Sequence, residues 1–181
     1  MKKNFGMYYT YQKEMDELLI LFNNSLIEKE VNRDDITVCY NKDEVVAYKI
    51  FNIKRLVKIH VNGQIVFPNS SLVEVINSLL KKENLELLVA PSHSGFYISK
   101  VISNDDKLVL KSDKEIFELE KNSSLIQDDV VVIMKKGTFN QDKKMVNEDT
   151  LCTFKMLGIN DIDKVLIDNT LKEGDFYQIK E

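Results

Sequence analysis

The run Val130-Val131-Val132-Ile133-Met134, closed by Lys135-Lys136-Gly137, decides the architecture of the second half of this chain. Five consecutive apolar residues rich in β-branched side chains are too short for a stable helix and suit a strand covered on both faces. Working outward, Phe96–Ile102 and Lys107–Leu110 read as strands upstream, and Leu151–Phe154 reads as one downstream. Glu115–Glu120 alternates, with Phe117 and Leu119 on one face and Glu118 and Glu120 on the other, which is the period of a half-buried strand. Five short strands, with a short link near Ser123–Gln127 between the third and fourth, predict an all-β, five-stranded Greek-key barrel of the OB-fold type. A sandwich is the competing architecture.

The texture changes near Ala90-Pro91-Ser92-His93-Ser94-Gly95, which places a module boundary there. Residues 1–91 read as a small α+β domain, and residues 92–181 as the barrel with a C-terminal extension. In the first part, Asn62-Gly63 follows Val57, Ile59 and Val61 and precedes Ile65 and Phe67, a pattern that predicts a tight hairpin. A second turn at Asn41–Asp43 separates strand-like Ile36–Tyr40 from Val45–Phe51. Ser71 and Glu74 have the spacing of a capping box, and Leu72, Val75, Ile76, Leu79 and Leu80 form the apolar stripe of one helix that ends in Lys81-Lys82. Gln12–Phe22 suits helix or strand, with Leu18–Phe22 favouring strand.

An apolar share of 44% over 181 residues is enough for a core without staples. Cys39 and Cys152 form no CxxC pair, and with only His60 and His93 to help they build no zinc site, so a reduced, cytoplasmic setting is expected. No stretch approaches the length that crosses a bilayer, and Lys2-Lys3 is not followed by the apolar segment of a signal peptide. The net charge of −4 comes wholly from residues 91–181, which hold 13 basic and 17 acidic side chains. A polyanion therefore needs a local basic patch on a surface that otherwise repels it.

Enzyme signatures are absent: there is no GxGxxG, P-loop, GxSxG or HExxH. His93 between Ser92 and Ser94 is read as part of a polar linker, since neighbours in sequence rarely aim at one another. His60 is read as a surface residue, Asp105-Asp106 and Asp128-Asp129 as solvated turns, and the two cysteines as small core residues. No catalysis, cofactor or metal is expected. Lys135, Lys136, Lys143 and Lys144 lie in and before Gly137–Asn147, which the barrel reading makes the loop between the fourth and fifth strands. OB-folds use that loop to grip oligonucleotides, so the four lysines are candidate phosphate contacts. A lysine-rich solvated loop is the plain alternative. Phe139 and Phe154 are the only aromatic candidates for base stacking nearby.

The second half also resembles a known family. Asn104-Asp105-Asp106-Lys107-Leu108 is similar to the His-Pro-Asn-Ala-Asp-Lys-Leu run of the tRNA-binding OB domain found at methionyl-tRNA synthetase C-termini, at phenylalanyl-tRNA synthetase β-subunit N-termini and in stand-alone bacterial YtpR-type proteins. Val130–Gly137 resembles its Val-Val-Val-Ala-x-x-Gly strand, and Leu151-Cys152-Thr153-Phe154-Lys155-Met156-Leu157-Gly158 its Met-Ile-Cys-Ser-Ala-Lys-Glu-Leu-Gly segment. Upstream, Tyr48-Lys49-Ile50-Phe51-Asn52 resembles the Gly-Phe-Asn-Ile-Phe-Asn segment of the YtpR-type N-terminal domain, and Met7–Glu14 its Phe-Tyr-Asn-Lys-Glu start. The family's His-Pro is Ile102-Ser103 here, and its Ser-x-Gly-Met falls on Asn147-Glu148-Asp149-Thr150, which brings two carboxylates to a phosphate-facing surface.

The resemblance implies a cytoplasmic bacterial protein that binds tRNA or other structured RNA without catalysis. With the four loop lysines included, the candidate RNA contacts are Asn104, Lys107, Lys135, Lys136, Lys143, Lys144, Asn147 and Thr153. Stand-alone relatives imply a possible homodimer, and no membrane partner is expected from the lack of a spanning stretch. The alternative is a protein-interaction or oligomerisation module whose tRNA site has eroded.

Overall fold

The computed structural model describes residues 7–65, 68–90, 95–113, 115–140, 142–153 and 156. The chain divides into two compact units between Ser92 and His93. The linker residues 91–94, and with them His93, lie outside the described residues, as do Phe67, Phe154 and the segment from Leu157 to Glu181.

The first unit is a six-stranded antiparallel sheet of order β3-β4-β5-β2-β1-β6. Its strands are β1 (Tyr8–Gln12), β2 (Glu17–Leu21), β3 (Lys29–Arg33), β4 (Ile36–Asn41), β5 (Glu44–Phe51) and β6 (Gly63–Ile65). The ambiguous Leu18-Leu19-Ile20-Leu21 run is strand because both of its faces are covered. Leu18 and Ile20 enter the main core, while Leu19 is buried on the other face beside Cys39 and Ala47. The β3–β4 and β4–β5 turns place Asp34 and Lys42 in the left-handed region, at φ 44° and 53°. β3 carries no apolar alternation beyond Val31, so it left little trace in the sequence.

Two local expectations are corrected. Asn62-Gly63 does not close a hairpin: Val57–Val61 lies outside any strand, and Gly63–Ile65 pairs instead with β1, Tyr11 opposite Gly63. A type I′ turn needs both central residues at positive φ. Only Gly63 has one, at +122°, while the Asn62 side chain accepts the Lys13 N–H at 3.0 Å. The helix α1 (Ser70–Lys82) is capped by Asn69, whose Oδ1 accepts the Leu72 N–H at 2.8 Å, and not by Ser71. Starting two residues earlier than a Ser71 cap implies, it buries Leu72, Val73, Ile76, Leu79 and Leu80, with Val73 in the place expected of Val75. Those residues cover Tyr11, Leu18, Ile20, Val38 and Ile50 of the sheet.

The second unit is a five-stranded antiparallel sheet of order β11-β10-β7-β8-β9. Its strands are β7 (Phe96–Asn104), β8 (Lys107–Lys111), β9 (Ile116–Glu120), β10 (Val130–Met134) and β11 (Thr150–Leu151). β7 pairs with β10 through Phe96–Lys100 and with β8 through Lys100–Asn104, with a bulge at Val101–Ser103. A bulge raises local twist, so this strand turns the sheet towards a barrel. Tyr97, Val101, Leu108, Leu110, Phe117, Leu125, Val131 and Ile133 fill the concave side. Val132 and Met134 are buried on the opposite face, as the continuous apolar run implies.

The expected fold class is therefore corrected in both halves. The first unit is mostly β, with one helix against six strands, and not an α+β layer. Among the described residues the second is barrel-like but open: β9 and β11 are edge strands with no pairing between them. Successive antiparallel pairings make β9 and β11 run in the same direction. Closure would need a parallel ladder, which is the weaker kind, on a β11 of only two residues.

Candidate nucleic-acid interface

Residues 137–146, expected as a loop, form a hairpin arm. Gly137 N–H donates to Val146 O at 2.9 Å and Val146 N–H to Thr138 O at 2.9 Å, Phe139 bridges to Met145, and Asn140 N–H reaches Lys144 O at 2.9 Å. At the tip, the Asn140 side chain accepts the Lys144 N–H at 3.0 Å, and Lys143 takes a left-handed φ of 60°. Phe139, 1% exposed, roots the arm in the unit and is therefore no stacking platform. Lys143 and Lys144 at the tip and Lys136 at the base are exposed. Asp142 is the only carboxylate between Lys136 and Val146.

The other expected contacts are held elsewhere. Lys135 is half-buried, with Nζ at 2.5 and 2.7 Å from the Glu115 carboxylate and 5.6 Å from the centre of the Tyr97 ring. Burial, reinforced by Glu115, pushes the Tyr97 hydroxyl up to about 12, so this cluster is a packed structural knot. Asn104 is consumed by the backbone: Nδ2 donates to Asn122 O at 2.5 Å and Leu125 O at 2.7 Å, while Oδ1 accepts the Asn122 N–H at 3.1 Å. Lys107 is exposed and paired with Glu118 at 3.0 Å. Asn147 is exposed, and the Thr153 hydroxyl accepts the Met156 N–H at 3.3 Å. The structure thus exposes Lys136, Lys143 and Lys144 on one arm with Asn147 at its foot, and engages Asn104, Lys107, Lys135 and Thr153 in contacts within the unit.

Beside the arm lies a groove of about 950 Å³ between the two free sheet edges. Leu108, Leu119 and Leu151 line it, and Leu119 and Leu151 also pack on the apolar core. Its charged lining is Asp106, Glu118, Glu120, Glu148 and Asp149 against Lys107 and Lys121. Asp149 is partly engaged, accepting the Lys136 N–H at 2.8 Å. This acidic face was readable from the alternation of Glu118 and Glu120, but its facing Glu148 and Asp149 became neighbours only through the fold.

Among the described residues no group of three or more His, Cys, Asp or Glu side chains is placed to hold a metal ion. Cys39 and Cys152 are buried free thiols, and burial is the main cause that pushes Cys39 up to about 11. His60 is exposed. Asp128 pairs with Lys100 at 2.7 Å, and Asp129 accepts the Ile126 N–H, so both serve their turn. No described helix is long and apolar enough to cross a membrane.

A family model described as "Domain of unknown function (DUF4479)" matches residues 27–89, from just before β3 to just beyond α1. No curated protein matches the chain.

Proposed function

We propose that this chain is a non-catalytic RNA-binding protein that meets the phosphate backbone of structured RNA with the hairpin arm 136–146. The observation that carries the reading is the exposure of Lys136, Lys143 and Lys144 on one arm whose own sequence holds one carboxylate, Asp142, with the Asp149 carboxylate against the Lys136 N–H at its base. The resemblance of the second half to tRNA-binding domains supports tRNA as the RNA class. The carboxylates of the neighbouring groove repel a phosphate backbone and confine contact to the arm. About three lysine–phosphate contacts give weak, salt-sensitive association, micromolar or weaker at physiological salt. Two buried, unpaired thiols accord with a reducing, cytoplasmic setting.

The test is a fluorescence-anisotropy titration of labelled total tRNA at about 50 and about 200 mM salt. The variant Lys136→Glu/Lys143→Glu/Lys144→Glu should lose binding and flatten the salt dependence. Equal affinity and equal salt slope in the variant would remove the arm from any RNA site.

A further inference from the structure

We infer that the acidic groove of the second unit accepts an extended, lysine- or arginine-bearing peptide strand from a partner protein, which takes the missing place between β9 and β11. Three features converge on it. First, β9 makes backbone pairs only with β8, and β11 only with β10, among the described residues. Among the described residues their outer edges therefore present unpaired N–H and C=O groups, which are a template for strand addition. Second, β9 and β11 run in the same direction, so a strand running the other way would pair antiparallel with both, the stronger ladder on each side. Third, the groove is two-faced in the manner a strand needs. Leu119 and Leu151 point to the core side, whereas Glu118 and Glu120 point outward.

The charge selects the occupant. Lys107 lies opposite Glu120 in register, yet its ammonium leans to Glu118 at 3.0 Å. Glu120, Glu148 and Asp106 are left without a cationic partner among the described residues. A strand alternates its side chains, so apolar residues at every second position would cover Leu119 and Leu151. The intervening basic residues would then stand beside Glu118 and Glu120. A polyanion is excluded by the same carboxylates. This site is separate from the lysine arm, and it stands or falls independently of the RNA reading.

The experiment uses the full chain and a fluorescein-labelled peptide of about eight residues, the length of a typical strand, alternating lysine with valine. One control peptide alternates glutamate with valine. Another is the lysine peptide N-methylated at alternate backbone nitrogens. The lysine peptide should bind saturably, and Glu118→Gln/Glu120→Gln should weaken it about tenfold without lowering tRNA affinity. N-methylation should abolish binding, because charge is kept while the ladder is lost. Equal binding of the N-methylated peptide, unchanged binding by the variant, or no binding at all would overturn the proposal. So would a gain in tRNA affinity with no change for the peptide, which would make the groove a nucleic-acid surface.

Discussion

The Asn104 side chain bonds both backbone groups of Asn122, donating to its carbonyl at 2.5 Å and accepting its N–H at 3.1 Å, and reaches on to the Leu125 carbonyl at 2.7 Å. One amide thus fastens the end of β7 to the link between β9 and β10, and Leu125 is drawn into the core as a result. An asparagine quoted by the family resemblance as a candidate RNA contact is here spent on folding.

Asn104→Ala should accordingly destabilise the chain by about 2–3 kcal/mol, since three hydrogen bonds go and half-buried backbone groups lose their partners. Urea unfolding followed by circular dichroism reads the loss. At low denaturant, where the variant is folded, tRNA affinity should match that of the native chain; a selective loss of RNA binding would return Asn104 to the interface.

Neighbouring lysines should behave oppositely. Lys135→Ala removes the Glu115 pair, with side chains 30% and 36% exposed, and the contact over Tyr97, at a cost of about 1 kcal/mol. The Lys136 side chain is exposed and has no ion pair among the described residues, so Lys136→Ala should leave stability within about 0.5 kcal/mol. It should instead lower the slope of log affinity against log salt by about 1. Measuring both quantities on both variants separates the packed cation from the exposed one.

Gly95 stands at φ +83°, and a Cβ added there would land on the Thr138 side chain. Gly95→Ala should cost about 3 kcal/mol, from left-handed strain and overpacking together. The Thr138 hydroxyl is buried without a hydrogen-bond partner among the described residues, so Thr138→Ala alone should be close to neutral. The double variant should recover about 1 kcal/mol or more of the Gly95→Ala loss. Additive losses in thermal or urea unfolding would show that backbone strain alone is responsible.

Alkaline conditions should unfold the protein early. Folding holds Cys39 protonated, with its thiol raised from 9.0 to about 11 mainly by burial. The unfolded chain therefore releases that proton first, and the stabilisation present below pH 9 declines between about pH 9 and 11. Lys49 acts in the same direction: its hydrogen bond to Glu30 raises its ammonium, whose contribution is lost as pH rises through the folded value. Urea midpoints at about pH 7, 9 and 10 should fall, and Cys39→Ala should fall less steeply. Parallel curves would show that this thiol is not linked to folding.

Much of the secondary structure was legible because local pattern and burial agree. Val130–Met134 is a strand buried on both faces, and Phe117 and Leu119 point inward while Glu118 and Glu120 point out. Asn62-Gly63 misled because its local turn preference lost to a distant partner: β1 offers Gly63–Ile65 a ladder and a place for Ile65 against the core. Among the candidate contacts, residue type alone could not separate Lys135, drawn to Glu115 from 20 positions away, from Lys136, which faces water.

Sequence by itself determined the bounds of β2, β4, β5, α1 and β7 to β10 to within a residue or two, because alternation, apolar runs and turn residues are local properties. It did not show β1 or β3, and it made a strand of Val57–Val61. Tertiary structure alone decided that the second sheet stays open, which amides and ammonium groups are consumed by packing, and that Glu118 and Glu120 come to share a groove with Glu148 and Asp149. The reason is physical: strand direction and edge closure depend on pairings between residues far apart in the chain, and a side chain's freedom to meet a partner depends on which neighbours the fold has already given it.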